Sequence, residues 1–164
     1  MNLEIREFQQ TDSISELTEL IHSAYKPLAE MGFRMWGSWQ TDEITQDRVE
    51  RAHTTLVALI KGRMIATISL YPPRPNHPCE HYRVAWCFGQ FAVLPEMQRT
   101  GIGSQLITLV EQRAKQEGAR FIALDTAETA FHLIRYYEKR GYKFVQYQQV
   151  DKVNYRSVIL SKEL

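Results

Sequence analysis

Apolar residues recur at two spacings along the chain, and the switches between strand-like and helix-like spacing lay out its elements. Leu3, Ile5 and Phe8 are spaced for a short half-buried strand with one irregularity near its end. Thr11-Asp12-Ser13 then offers N-caps to a helix carrying Ile14, Leu17, Leu20, Ile21, Ala24 and Tyr25 on one face. A second helix falls within Thr41 to Ala52, with Thr41 or Asp42 as cap and acidic residues in the first turn, where the helix dipole favours them. Thr55 to Ile60 and Met64 to Tyr71 pair as a hairpin about the turn Lys61-Gly62-Arg63. Pro72, Pro73, Pro75 and Pro78 break regular structure and mark an exposed loop.

Val84 to Leu94 is a long β-prone run ended by Pro95. From about Gly101 to Glu117 a helix places Ile102, Leu106, Leu109, Val110 and Ala114 on one face, and Gly118 stops it. Phe121 to Leu124 is an apolar strand, and Phe131 to Arg140 is a helix closed by Gly141. Tyr142 to Tyr147 and Tyr155 to Leu160 are two closing strands. The order is β-α-α-β-β-β-α-β-α-β-β, without repeat or linker. It predicts one α/β domain over residues 1–164 with a mixed sheet, at a length typical of about 100–200 residues per domain.

Charge narrows the partners. Twenty Lys and Arg face nineteen Asp and Glu, a formal +1, which argues against a surface that neutralises nucleic-acid phosphates. A local anion site remains compatible with that balance. Cys79 and Cys87 lack the C-x-x-C spacing of redox or zinc motifs and favour a reduced, intracellular setting. Met-Asn-Leu-Glu-Ile-Arg-Glu carries charges where a signal peptide would be apolar. The longest apolar run, Leu56 to Ile60, is far below the roughly 18 residues of a bilayer span. The expectation is a cytoplasmic protein with neither a membrane nor a nucleic-acid partner.

The chemistry concentrates in Phe91-Ala92-Val93-Leu94-Pro95-Glu96-Met97-Gln98-Arg99-Thr100-Gly101-Ile102-Gly103-Ser104. A buried strand ends, the chain turns, and two glycines open an amphipathic helix. The first amides of a helix have no intrahelical partner, and the macrodipole adds partial positive charge there. Glycines let that backbone approach a phosphate, and Arg99 adds a full charge, so the turn reads as a pyrophosphate cradle. A P-loop fails because no lysine follows Gly103. The dinucleotide fingerprint matches Gly101, Gly103 and an acid, Asp125, about 20 residues on. It lacks the third glycine, where Leu106 stands, and its glycines come too far after Leu94.

Gln98-Arg99-Thr100-Gly101-Ile102-Gly103 resembles the Q/R-x-x-G-x-G/A signature of the GNAT superfamily of acyl-CoA-dependent N-acetyltransferases. Phe91-Ala92-Val93-Leu94-Pro95 is similar to the end of that family's fourth strand, and Tyr136-Tyr137-Glu138-Lys139-Arg140-Gly141-Tyr142 to its helix ending in L-Y-E-K-x-G-F. The resemblance is specific over about Val84 to Val145 and looser towards the N-terminus. It implies a GNAT-like α/β (α+β) fold, a mixed and mostly antiparallel sheet of about seven strands flanked by about four helices. It implies acetyl-CoA as co-substrate, with no metal. Backbone amides of Gln98, Arg99, Thr100, Gly101, Ile102, Gly103 and Ser104 would hold the pyrophosphate. Phe91 and Val93 would pair with the pantetheine arm, and an amide around Ala92 or Val93 would stabilise the oxyanion.

Tyr137 falls on the position of the family's general acid, which protonates the thiolate expelled when an amine attacks the thioester. Its neighbour Tyr136 is a second phenol for the same role. The family Asn at the start of this helix is here Ala130, leaving Thr126, Thr129 or His132 to replace its contact. The strand acid that often deprotonates the amine is also missing. Gln90 could order a water only, and Glu80, His81 and Glu128 are the alternatives. These two departures sustain a second reading, a non-catalytic acyl-CoA-binding or sensing domain of the same fold. His77, Cys79 and His81 share a face if extended, but in a proline-broken loop they read as polar residues flanking the acceptor site, not as a metal centre. Met31 to Trp39, rich in Met and Trp, suits a wall for an apolar or aromatic acceptor, core packing or a homodimer contact equally well. The acceptor itself, a small-molecule or peptide amine, is not named by these residues, and Cys87 on a buried strand reads as inert.

Overall fold

The computed structural model describes residues 2–164. Its seven strands form one sheet in the order β1-β2-β3-β4-β5-β7-β6. The elements are β1 (Leu3–Glu7), α1 (Ile14–Glu30), α2 (Asp42–Arg51), β2 (Thr54–Ile60), β3 (Arg63–Tyr71), β4 (Trp86–Val93), α3 (Ile102–Gln116), β5 (Phe121–Ala127), α4 (Phe131–Glu138), β6 (Lys143–Gln149) and β7 (Arg156–Glu163). Short 3-10 turns occupy Trp36–Ser38, Glu80–Arg83 and Pro95–Met97. Every pairing is antiparallel except β4 with β5. This is the mixed sheet that the sequence pattern predicts, and the mostly antiparallel seven-stranded, four-helix arrangement that the family resemblance implies.

Local chemistry sets the helix starts. The Ser13 hydroxyl caps α1 by accepting from the Glu16 amide at 3.1 Å, and Thr41 caps α2. Asp12 takes a different role: it receives a forked pair of bonds from Arg6 at 2.7 and 2.9 Å, which holds its carboxyl below the usual range. The core is built from Leu17, Leu20 and Ile21 of α1, Ile68 and Leu70 of β3, and Leu106, Ile107, Val110 and Ala114 of α3.

Two irregularities shape the region of the candidate site. The first is a bulge in β4: Thr67 pairs with Ala92 but Ser69 with Gly89, so β4 carries one extra residue. Gln90 lies in that bulge with φ +47, a left-handed conformation that only a strong local constraint holds for a non-glycine residue. The second is the parallel pairing of β4 with β5, which covers only Trp86–Ile122 and Cys87–Ala123. Beyond those pairs the strands diverge, leaving a wedge-shaped opening in the middle of the sheet. β5 also runs through Asp125, Thr126 and Ala127, three residues further than its apolar run suggests, because β7 pairs with all of it.

Candidate active site

Past Cys87, the edge of β4 that faces β5 has no strand to pair with. Phe91, Ala92 and Val93 lie along this edge, so their main-chain groups on that side are available to an extended ligand. The chain then passes through Pro95–Met97 into a turn with Arg99 at φ +61 and Gly101 at φ +90. Gly101 is the N-cap of α3 and offers no side-chain cap. Among the described residues, the amides of Arg99, Thr100, Gly101, Ile102, Gly103 and Ser104 meet no acceptor within the chain, whereas that of Gln98 donates to the Pro95 carbonyl. The open cradle therefore begins at Arg99. A Cβ at Gly103 would stand 3.1 Å from Phe91 Cζ and 3.4 Å from Val93 Cγ2, so glycine here lets α3 seat directly against the end of β4.

The two adjacent tyrosines diverge. Tyr136 places its hydroxyl 3.2 Å from Ser104 Oγ, at the mouth of the cradle. Tyr137 is 7% exposed and packs its ring near Phe88, Tyr136 and Tyr142. Its hydroxyl meets no hydrogen-bond partner among the described residues. Burial, reinforced by Tyr25, Tyr136 and Asp125, pushes its ionisation well above that of an ordinary phenol. It therefore stays protonated, a donor without an acceptor of its own.

The strand acid sought on β4 is absent, and Gln90 is not a substitute. Its side chain, 2% exposed, is absorbed by Gln40 Nε2 at 2.9 Å and Ser69 Oγ at 3.4 Å. Glu128 is ion-paired with Arg156. His81 contacts Ser161 Oγ at 2.6 Å and packs on Phe121, and Glu80 lies exposed in its 3-10 turn. The carboxylate that faces the wedge is Asp125. It follows the last paired β5 residue, Ala123, by two positions, on the same strand face. It is exposed although its strand lies inside a seven-stranded sheet, because β4 has turned away. Tyr82 donates to Asp125 Oδ1 at 3.0 Å, and the charge of Asp125 disfavours ionisation of Tyr25, Tyr82, Tyr137 and Tyr155. The signal for it was available: an acid continuing an apolar strand, read above only as the ribose acid of the rejected dinucleotide fingerprint.

The segments joining α1 to α2 and β6 to β7 pack against each other. Phe33 and Tyr155 pack edge to face at 6.1 Å. Asn154 clamps the two segments together, donating to the Gly32 carbonyl at 2.8 Å and accepting from the Arg34 amide at 2.7 Å. Ala130 is fully buried against Met35 and Ala127, and His132 is exposed. Cys87 is a poor nucleophile: burial pushes its thiol up to about 11. His77 accepts from the Cys79 amide while His81 turns to Ser161, so the three proline-loop residues do not converge. Among the described residues no three His, Cys, Asp or Glu side chains gather as a metal site would need, and no helix is long and apolar enough to cross a membrane.

Known proteins share this architecture. The chain is 29% identical over 156 residues to the S-alkylcysteine N-acetyltransferase of Bacillus subtilis (strain 168), covering 92% of this chain and 85% of that protein. It is also 29% identical over 153 residues to the S-(2-succino)cysteine N-acetyltransferase of the same strain, covering 91% and 89%. A GNAT family acetyltransferase from Elizabethkingia anophelis, solved with acetyl-CoA bound, superposes with a TM-score of 0.72 over 99% of both chains at 16% identity. The Acetyltransferase (GNAT) family model matches residues 14–142. With its open fourth strand, glycine turn and tyrosine helix, this chain belongs to the GNAT family of acetyl-CoA-dependent acyltransferases.

Proposed function

We propose that this chain acetylates the primary amine of a small acceptor by direct attack on acetyl-CoA, with Tyr137 as general acid and Asp125 as general base. The observation that carries the proposal is the pairing of an unpartnered, protonated phenol with an exposed carboxylate at one opening in the sheet. The residues present suit the co-substrate. The amides from Arg99 to Ser104 suit a pyrophosphate, with Arg99 adding charge and Gln98 bracing the turn through its side chain on the Val93 carbonyl. The free edge at Phe91, Ala92 and Val93 suits a pantetheine amide chain.

When bound, acetyl-CoA supplies an acyl carbon open to a nucleophile and a sulfur leaving group. Asp125 takes a proton from the acceptor ammonium, directly or through one water. The neutral amine attacks and the C–N bond forms. The C–S bond breaks as Tyr137 delivers its proton to the departing sulfur, the surplus proton on the attacking nitrogen restores the Tyr137 phenol, and Asp125 passes its own proton to solvent. Main-chain N–H groups near Ala92 and Val93 face the developing negative charge on oxygen. The high ionisation range of Cys87 supports direct transfer over an acyl-cysteine route. The relatives are named for cysteine derivatives, and the apolar and aromatic cluster of Tyr25, Phe33, Met35 and Tyr155 suits an acceptor wall for a small amine of that kind.

The test is a thermal-shift series with acetyl-CoA, coenzyme A and NAD, followed by thiol release with S-methyl-L-cysteine, L-methionine, L-phenylalanine, phenethylamine and spermidine. Stabilisation by the two CoA species and thiol release with at least one amine are expected. Stabilisation without thiol release for any amine would assign a binding or sensing role, and no shift with either CoA species would overturn the cofactor assignment.

A further inference from the structure

Two guanidinium groups stand at the rim of the wedge without an acid of their own. Arg48 on α2 donates through Nη1 to Gln40 Oε1 at 2.7 Å. Gln40 is fixed from beneath, its Nε2 donating to Thr45 Oγ1 at 2.7 Å and to Gln90 Oε1 at 2.9 Å. Thr45 in turn receives the Thr18 hydroxyl at 2.8 Å, and Gln90 leans on Ser69, itself 2.8 Å from Thr55. Gln40, Thr45, Ser69 and Gln90 are all buried. A buried polar chain of this kind is costly unless its members are satisfied, and these are satisfied by one another. Its outward end is the Arg48 guanidinium, most of whose N–H donors meet no acceptor among the described residues.

The bulge that opens β4 thus also aims Arg48. Gln90 can reach Gln40 only because its backbone is flipped to φ +47. Arg48 Nη2 overhangs Gly89, where a Cβ would come within 3.3 Å of it, and the Tyr71 hydroxyl holds the Arg48 carbonyl at 3.1 Å. Gly89 stands two residues past Cys87 on β4, as Asp125 stands two past Ala123 on β5, and Cys87 pairs with Ala123. Arg48 and Asp125 therefore flank the same opening from opposite strands. Arg74 reaches this strip from the proline loop, stacked over Tyr82 at 4.6 Å with Nη2 3.9 Å from Cys87 Sγ. Nearby arginines find carboxylates, as Arg51 does with Asp47 and Arg156 with Glu128. Among the described residues neither Arg48 nor Arg74 does.

We infer that Arg48, assisted by Arg74, binds an anionic group of the acceptor, which is an amino-acid-like zwitterion with its ammonium toward Asp125 and its carboxylate toward Arg48. This rests on the acetyl-transfer reading above and adds the acceptor's charge pattern to it. A planar guanidinium matches a carboxylate through two parallel N–H bonds, and the opposite charges of the site then enforce one orientation of the acceptor. Decarboxylated amines lose the Arg48 contact while keeping the Asp125 one.

The experiment compares L-methionine with 3-(methylthio)propylamine and L-phenylalanine with phenethylamine, by acetyl-CoA-dependent thiol release, in wild type, Arg48→Gln, Arg48→Lys and Arg74→Gln. Wild type is expected to favour the amino acid of at least one pair by about 10–100-fold in kcat/KM, the range of a charge-assisted contact. Arg48→Gln should erase that preference through KM, leaving the decarboxylated amine within about twofold of its wild-type rate. Arg48→Lys should retain part of the preference, and Arg74→Gln should lower it less than Arg48→Gln. Equal wild-type rates for both members of each pair, or an equal loss for both in Arg48→Gln, would overturn the inference while leaving acetyl transfer intact. Absence of thiol release with every amine would instead remove the reading on which it rests.

Discussion

Tyr137 and Tyr142 have rings 5.9 Å apart, both are buried, and burial lifts the ionisation of both phenols far above the ordinary range. They differ in what their hydroxyls meet. Tyr142 donates to Glu111 Oε1 at 2.8 Å, and the other Glu111 oxygen receives Lys162 Nζ at 3.0 Å, closing a junction between α3, β7 and the end of α4. Tyr137 packs its ring near Phe88 and Tyr136, and its hydroxyl meets no partner among the described residues. The same residue type in nearly the same medium is structural where a carboxylate answers it and available for chemistry where nothing does.

That contrast can be broken most sharply at Tyr137. Tyr137→Phe should lower kcat by at least about 100-fold, the usual size of a general-acid contribution, while the melting temperature moves little. Steady-state kinetics with calorimetry on one preparation reads both. Asp125→Asn should lower kcat/KM by a comparable factor at neutral pH. Its deficit should shrink as pH approaches the acceptor's own amine ionisation, where solvent does the deprotonation, and a pH-independent deficit would count against Asp125 as base.

The alkaline limb sharpens the comparison for both phenols. Their folded-state ionisation lies above the unfolded value of about 10, so the folded form binds the extra proton. The stability they contribute is complete below that value and declines as pH rises above it. A melting temperature flat from pH 7 to 9 and falling steeply above pH 10 is the expected profile, with kcat sustained across the flat region. Tyr142→Phe should leave kcat within about twofold but cost about 1–3 kcal/mol of stability by stranding one oxygen of Glu111, a fall of several degrees in melting temperature. The smallest effect belongs to Glu128→Gln. Its pair with the half-exposed Arg156 is screened by solvent, so the melting temperature should barely move and turnover should be unchanged.

Most elements were legible because each carries its own period: the α1 stripe from Ile14 to Tyr25, the Lys61-Gly62-Arg63 hairpin and the Gly118 stop all depend on near neighbours. The glycine turn and the tyrosine-bearing helix were legible as a motif for the same reason. What stayed hidden depends on which strands fail to pair. Leu124 ends the apolar run of β5 with Asp125 at its end, and only the pairing with β7, which carries the strand on to Ala127, shows that Asp125 stands within the sheet beside the unpaired stretch of β4. Gln40 and Gln90 are separated by fifty positions, and no local pattern announces a bond between them. Arg48, one charge on a polar helix, acquires meaning only from what lies beneath it.

The brief contact between β4 and β5 has a consequence for how the sheet breathes. Two residue pairs join the leaf β1-β2-β3-β4 to the leaf β5-β7-β6, while seven pairs join β5 to β7. Amide hydrogen exchange should divide along that seam, with slow exchange at the β5–β7 ladder and faster exchange on the outward amides of β4 beyond Cys87. A ligand strand seated in the seam would stitch the leaves together, so protection appearing at Phe91 to Val93 would report occupancy before any chemistry occurs.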